Sequence, residues 1–155
     1  MINGKKAGVE IKPGIYAKIN RVWKKGDVIS LNMPMDITLI EGNPLIEEVR
    51  NQVAIKRGPI VYCVETPDLP KNAGILDVYL PEDSKLRAQY RPDVLGGVCV
   101  IDGEVTIRKD TQNGMYHTAN KPEWEKTTIQ FVPYFAWSNR GASDMTVWLP
   151  VMWGK

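Results

Sequence analysis

Val53-Ala54-Ile55-Lys56-Arg57-Gly58-Pro59-Ile60-Val61-Tyr62-Cys63-Val64-Glu65 is the stretch that decides the fold. Both of its halves are rich in β-branched and apolar residues, which suit a pleated, buried ladder. Arg57-Gly58-Pro59 interrupts them, because glycine and proline fit a turn and not the interior of a strand. The stretch therefore reads as two strands broken at one point, and it carries nothing catalytic.

The same pattern continues in both directions. Upstream, Ile15, Ala17 and Ile19 alternate with Tyr16, Lys18 and Asn20, the two-residue period of a half-buried strand. Lys24-Lys25-Gly26-Asp27 is a turn signal, so Arg21 to Met33 reads as a hairpin with a Gly-containing loop. Ile37 to Ile40 is a further short run, and Leu45 to Arg50 is the best place for a helical turn. Downstream, strands are expected near Ile75–Leu80, Leu86–Tyr90, Gly97–Ile101, Val105–Arg108, Thr128–Pro133 and Met145–Val151. Asp110 to Glu125 reads as the longest loop, with Asn113-Gly114 and Lys121-Pro122 as breakers. The 13 glycines and 11 prolines are spread between these short runs, which points to a sandwich or barrel. The expectation is an all-β fold: a jelly-roll-like antiparallel β-sandwich with a small N-terminal β-unit.

Glu41 to Asn51 reads as a linker, which divides the chain into a β-unit over residues 1–40 and a larger one over residues 52–155. About 40 residues is too few for an unstapled β-unit to be stable alone. The first unit must then pack on the second, or be the remnant of a domain whose other strands are missing. Asn3-Gly4 bears on this choice. It is a strong two-residue hairpin-turn signal, which requires a strand on each side. Only Met1 and Ile2 precede it, so the turn is either fortuitous or the chain begins part-way through a hairpin.

Composition excludes several function classes. The 20 basic residues against 18 acidic give a net charge of +2, too balanced to imply a nucleic-acid partner or an anionic membrane. The longest purely apolar run, Ile60 to Val64, is far short of a membrane span. Met1-Ile2-Asn3-Gly4-Lys5-Lys6 lacks the apolar stretch of a secretory leader, and the compartment stays open. Cys63 and Cys99 sit in strand-like runs, where a buried free thiol is the ordinary reading. Together with His117 they cannot close a zinc site without carboxylates.

Catalytic sets are similarly sparse. None of Ser30, Ser84, Ser138 and Ser143 lies in Gly-x-Ser-x-Gly, and His117 falls in a polar loop. Glycoside hydrolysis needs two carboxyl groups about 5–9.5 Å apart. Glu47 and Glu48 are adjacent and tend to diverge, whereas Glu123 and Glu125 flank Trp124. Tyr134-Phe135-Ala136-Trp137 and Trp148 to Trp153 form a dense aromatic C-terminus. Aromatic faces stack on sugars, and they also fill cores and interdomain contacts. Trp124, Tyr134, Trp137 and Arg140 are the candidates for carbohydrate binding or interdomain contact. No catalytic residue is expected in this chain.

Three segments taken together resemble one family. They are Ile19 to Met35 (INRVWKKGDVISLNMPM), Val53 to Glu65, and Val132 to Pro150 (VPYFAWSNRGASDMTVWLP). The family is that of the β-L-arabinofuranosidase-type glycoside hydrolases, family 127. The resemblance implies an N-terminal (α/α)6 barrel followed by C-terminal β-sandwiches, of which this chain matches only the C-terminal region. Residues 1–40 would be the remnant of the first sandwich and residues from about 52 the second. It also implies a cysteine nucleophile, a glutamate acid/base and a zinc ion held by cysteines and a glutamate, all in the barrel. No residue here matches those positions, so neither Cys63 nor Cys99 is promoted to nucleophile and no cofactor is assigned to this chain. The partners implied are the catalytic barrel, a carbohydrate and a second copy of the protein. The function expected is that of a non-catalytic accessory sandwich. A carbohydrate-binding module is the alternative, and a self-contained hydrolase with an unrecognised acid pair is the next.

Overall fold

The hairpin expected at Val53–Glu65 is present. In a computed structural model describing residues 1–109 and 114–154, β2 (Gln52–Arg57) and β3 (Ile60–Glu65) run antiparallel with Arg57 opposite Ile60. Gly58 and Pro59 form the loop between them. Gly58 takes a φ of +55°, the left-handed region that a two-residue hairpin loop needs and that glycine reaches without steric cost.

The other strands among the described residues are β1 (Ile37–Glu41), β4 (Val78–Pro81), β5 (Leu86–Arg91), β6 (Val98–Lys109), β7 (Glu123–Pro133), β8 (Met145–Thr146) and β9 (Trp148–Met152). The fold is all-β, as the sequence pattern predicts, and its sheet closes into a barrel. Pairings run β2–β9–β4–β6–β7–β3 and return to β2. The β4–β9 pairing is parallel and the others are antiparallel. β1 lies outside the ring on β2, β5 on β6 and β8 on β3. Closure matters because it leaves those six strands no free edge.

Side-chain parity sorts the ring into inside and outside. Val53, Ile55, Tyr62, Val64, Val78, Leu80, Ile101, Val105, Ile107, Ile129, Phe131 and Leu149 form one buried cluster, drawn from all six ring strands. Each such side chain stabilises by roughly 1.5–3 kcal/mol on burial. The residues between them face the other way. Cys63, Val100 and Val132 form a second buried cluster with Val94, Leu95, Val98, Met145 and Val147. Both cysteines are free thiols.

Several boundaries differ from the sequence reading. β6 is one strand of twelve residues and not two. A Cβ on Gly103 there would lie 2.8 Å from the Phe131 ring and 2.7 Å from Leu86, so glycine makes room for packing. β7 begins at Glu123, inside the expected loop, because β6 supplies a ladder for it, with Arg108 opposite Trp124 and Lys109 bridging Glu125 at 2.6 Å. Residues 110–113 of that loop, including Asn113, lie outside the described residues. Ile75–Asp77 is a 3-10 turn, as is Glu47–Val49 in the expected helical segment.

The chain divides into compact units at Met1–Pro34 and Met35–Lys155. The sequence reading places the boundary at residue 40, but Ile37–Glu41 pairs along its whole length with β2. In the first unit the Asn3-Gly4 turn is real. Both residues have positive φ, +48° and +75°, the type I′ pattern, and Ile2 and Lys5 exchange backbone hydrogen bonds of 2.7 and 2.9 Å. Met1 to Asn3 then bond to Val28 and Ser30. The turn at Lys24–Asp27 also forms, at 3.0 Å. The ladder expected over Arg21–Met33 does not form, and Ile15, Ile29, Leu31 and Met33 are exposed.

Candidate functional site

β7 ends at Pro133, and the chain turns through a single 3-10 turn at Tyr134–Ala136. Ala136 is buried, whereas Tyr134, Phe135 and Trp137 are exposed, Phe135 to 70%. The Tyr134 and Trp137 rings lie nearly parallel, with an interplanar angle of 14° and centroids 6.3 Å apart. Phe135 and Ala136 border a shallow cleft of about 400 Å³ with Leu95, Val98 and Asn139. Two non-glycine residues beside this surface hold left-handed backbone, Leu95 at φ +52° and Ser138 at +65°. Such conformations cost about 1–3 kcal/mol each and gather at functional surfaces.

An ion-pair knot holds the turn in place. Glu65, the last residue of β3, is 0% exposed. Its carboxylate accepts from the Ser138 amide at 2.9 Å, from Ser143 Oγ at 3.1 Å, and from Arg140 Nε at 3.1 Å and Nη2. Arg140 also donates to Asp68, with Nη1 to Oδ1 at 2.8 Å. Burial by itself would raise the Glu65 carboxyl; hydrogen bonds from Arg140 and the Ser138 amide outweigh it and hold the carboxyl below its ordinary value. The segment from Ser138 to Ser143 is thereby pinned to β3.

The sequence candidates separate on this geometry. Tyr134, Trp137 and Arg140 come together in the turn and its anchor. Arg140 is engaged by two carboxylates, those of Glu65 and Asp68, and its side chain stays 22% exposed. Trp124 stands at the opposite end of β7, roughly 30 Å from Tyr134 at about 3.3 Å per residue. Its ring meets Tyr79 edge-on, with centroids at 4.9 Å and an angle of 77°, so it packs across strands and shares no platform with Tyr134 and Trp137. Sequence reasoning missed the roles of Glu65, Asp68 and Ser143. Only a glutamate ending an otherwise apolar strand hinted at the first of these.

Cys63 is equally removed from chemistry. It is buried outside the barrel, and desolvation pushes its thiol up to about 12, so it carries no thiolate at neutral pH. His117 is exposed, its Nδ1 3.1 Å from the Thr118 carbonyl. Among the described residues no three His, Cys, Asp or Glu side chains are grouped to hold a metal ion. Two open clefts each carry a pair of acids: Asp83 with Glu104 in one, Glu41 with Glu82 in the other. No helix among the described residues is long and apolar enough to cross a membrane.

Comparison with known proteins agrees with this division of the chain. Residues 37–150 match the glycoside hydrolase family 127 C-terminal domain. Residues 1–35 match the β-L-arabinofuranosidase, GH127 middle domain. A non-reducing end β-L-arabinofuranosidase of Bifidobacterium longum subsp. longum is 32% identical, the match covering 94% of this chain and 23% of that protein. The crystal structure of a GH127 β-L-arabinofuranosidase from Geobacillus stearothermophilus T6 superposes with a TM-score of 0.82 at 37% identity, covering 98% of this chain and 24% of that one. A further GH127 β-arabinofuranosidase structure gives 0.81 at 30% identity, covering 98% and 23%. The chain thus spans about a quarter of the length of these relatives. On the match over residues 37–150, it belongs to glycoside hydrolase family 127.

Proposed function

We propose that this chain is a non-catalytic accessory portion of a β-L-arabinofuranosidase-like hydrolase. Its role is to support a catalytic (α/α)6 barrel that also holds the zinc. Residues 35–155 form the C-terminal domain. The first unit is the remnant of a middle sandwich whose remaining strands lie elsewhere in the protein, which would explain its exposed apolar residues. The barrel of the second unit is a flattened jelly roll. The long ladders β1–β2 and β5–β6–β7 are joined by pairings of only two residues each at β2–β3, β3–β7, β4–β6 and β4–β9.

The observation that carries the reading is the aromatic turn. Tyr134, Phe135 and Trp137 are held out by a buried ion-pair knot beside two strained residues. An exposed apolar patch rimmed by polar groups suits contact with another protein surface. With Trp124 at the far end of β7, the turn suits docking better than a sugar platform. The test is hydrolysis of an aryl β-L-arabinofuranoside by the purified chain. No turnover above the uncatalysed rate is expected, and robust turnover at catalytic concentrations would end the reading.

A further inference from the structure

We infer that the groove at Trp153 is a binding subsite for a single neutral sugar ring, separate from the aromatic turn. The groove is about 220 Å³ and is lined by Leu39, Glu41, Val53, Glu82, Val151 and Trp153. Drug-sized ligands occupy roughly 300–1,000 Å³, so this groove suits one ring. Its floor comes from adjacent strands, with Glu41 opposite Val53 and Val53 opposite Leu149.

The indole is exposed on a backbone that is held on both sides, a combination that suits a ligand. Trp153 is 58% exposed, yet the backbone on each side of it is tied to Glu82. The Glu82 amide donates to the Met152 carbonyl at 3.0 Å, and the Gly154 amide donates to Glu82 Oε2 at 2.9 Å. One residue therefore ties the chain on both sides of Trp153, and it lines the same groove as the indole. A carboxylate has about four acceptor sites, so Glu82 keeps capacity after the Gly154 bond. Exposed Glu41 supplies a second acceptor on the β1 side.

This arrangement matches the two faces of a sugar. The C–H face of the ring covers the indole, and its hydroxyl groups donate to Glu41 and Glu82. Leu39, Val53 and Val151 exclude water from the remaining edge. Two carboxylates facing one small groove repel an anionic sugar, so uronates are rejected. The subsite uses none of the residues of the docking surface, and either reading can fail without the other.

The test is a titration of the 155-residue chain, followed by tryptophan fluorescence, with methyl β-L-arabinofuranoside, an arabinose disaccharide, glucuronate and tetramethylammonium. The expected result is a saturable change with the neutral sugars, at about millimolar Kd for a single-ring contact, and none with glucuronate. Binding should weaken at least tenfold in Trp153→Ala and in the double variant Glu41→Gln/Glu82→Gln, and be partly retained in Trp153→Phe, with thermal unfolding showing each variant folded. Saturation by tetramethylammonium with no response to sugars would mean a cation site and overturn the proposal. So would sugar binding that survives in folded Trp153→Ala, or no saturable response to any neutral sugar.

Discussion

Glu65 and Gly103 show what single residues contribute. Glu65 is a buried carboxylate kept ionised by its partners, and removing one partner of such a pair is costly because the other is left uncompensated. Arg140→Met should destabilise the second unit by about 3 kcal/mol, near the low end of the range for buried pairs because Arg140 stays partly exposed. Urea unfolding monitored by tyrosine and tryptophan fluorescence measures it. The pH dependence follows from the direction of the shift. A folded-state carboxyl held below its ordinary value of 4.5 contributes stability above about that pH and loses it as pH falls toward the depressed value. Wild-type chain should therefore lose stability more steeply than Glu65→Gln between about pH 4.5 and the acid limit of folding. Parallel curves would contradict the knot. Gly103→Val should cost about 1–3 kcal/mol by overpacking against Phe131 and Leu86, read in the same unfolding experiment. Cys63 should resist alkylation in the native chain at pH 8 and react once urea unfolds it, which mass spectrometry of the labelled peptide reports.

Elements were legible where local chemistry and the final ladder agree. Gly58-Pro59 could only be a turn, and the hairpin stands where expected. Gly58→Ala should destabilise by about 1–2 kcal/mol, since its φ is left-handed and an added Cβ would collide with the Met35 sulphur; a shift in thermal midpoint measures this. The misread elements depend on partners distant in sequence. Gly97–Ile101 and Val105–Arg108 read as two strands, but they are one, and Gly103 between them makes room for the Phe131 ring. Glu123 to Glu125 reads as the end of a polar loop, but it is strand because β6 pairs with it, with Lys109 opposite Glu123 and bridging Glu125. Arg140 was identifiable as a candidate residue, but its anchoring role was not, because Glu65 and Asp68 lie on a different strand and turn. In the first unit the period-two pattern of Ile29, Leu31 and Met33 is correct for a half-buried strand, but no ladder is present there to bury that face.

At the scale of the molecule, family membership and fold agree: residues 37–150 match the family's C-terminal domain and residues 1–35 its middle domain, and the chain spans about a quarter of its longer relatives. The six ring strands leave no free edge among them and enclose one continuous core. On the function proposed above, the aromatic turn docks on a catalytic partner. Hydrogen–deuterium exchange measures this directly, comparing the chain alone with the chain mixed with the catalytic portion of a family 127 enzyme made without its C-terminal quarter. Docking through this turn should give new protection confined to residues 94–98 and 134–140, lost in Phe135→Ala/Trp137→Ala. Association that leaves those residues as exchangeable as before, or that survives in the double variant, would contradict it.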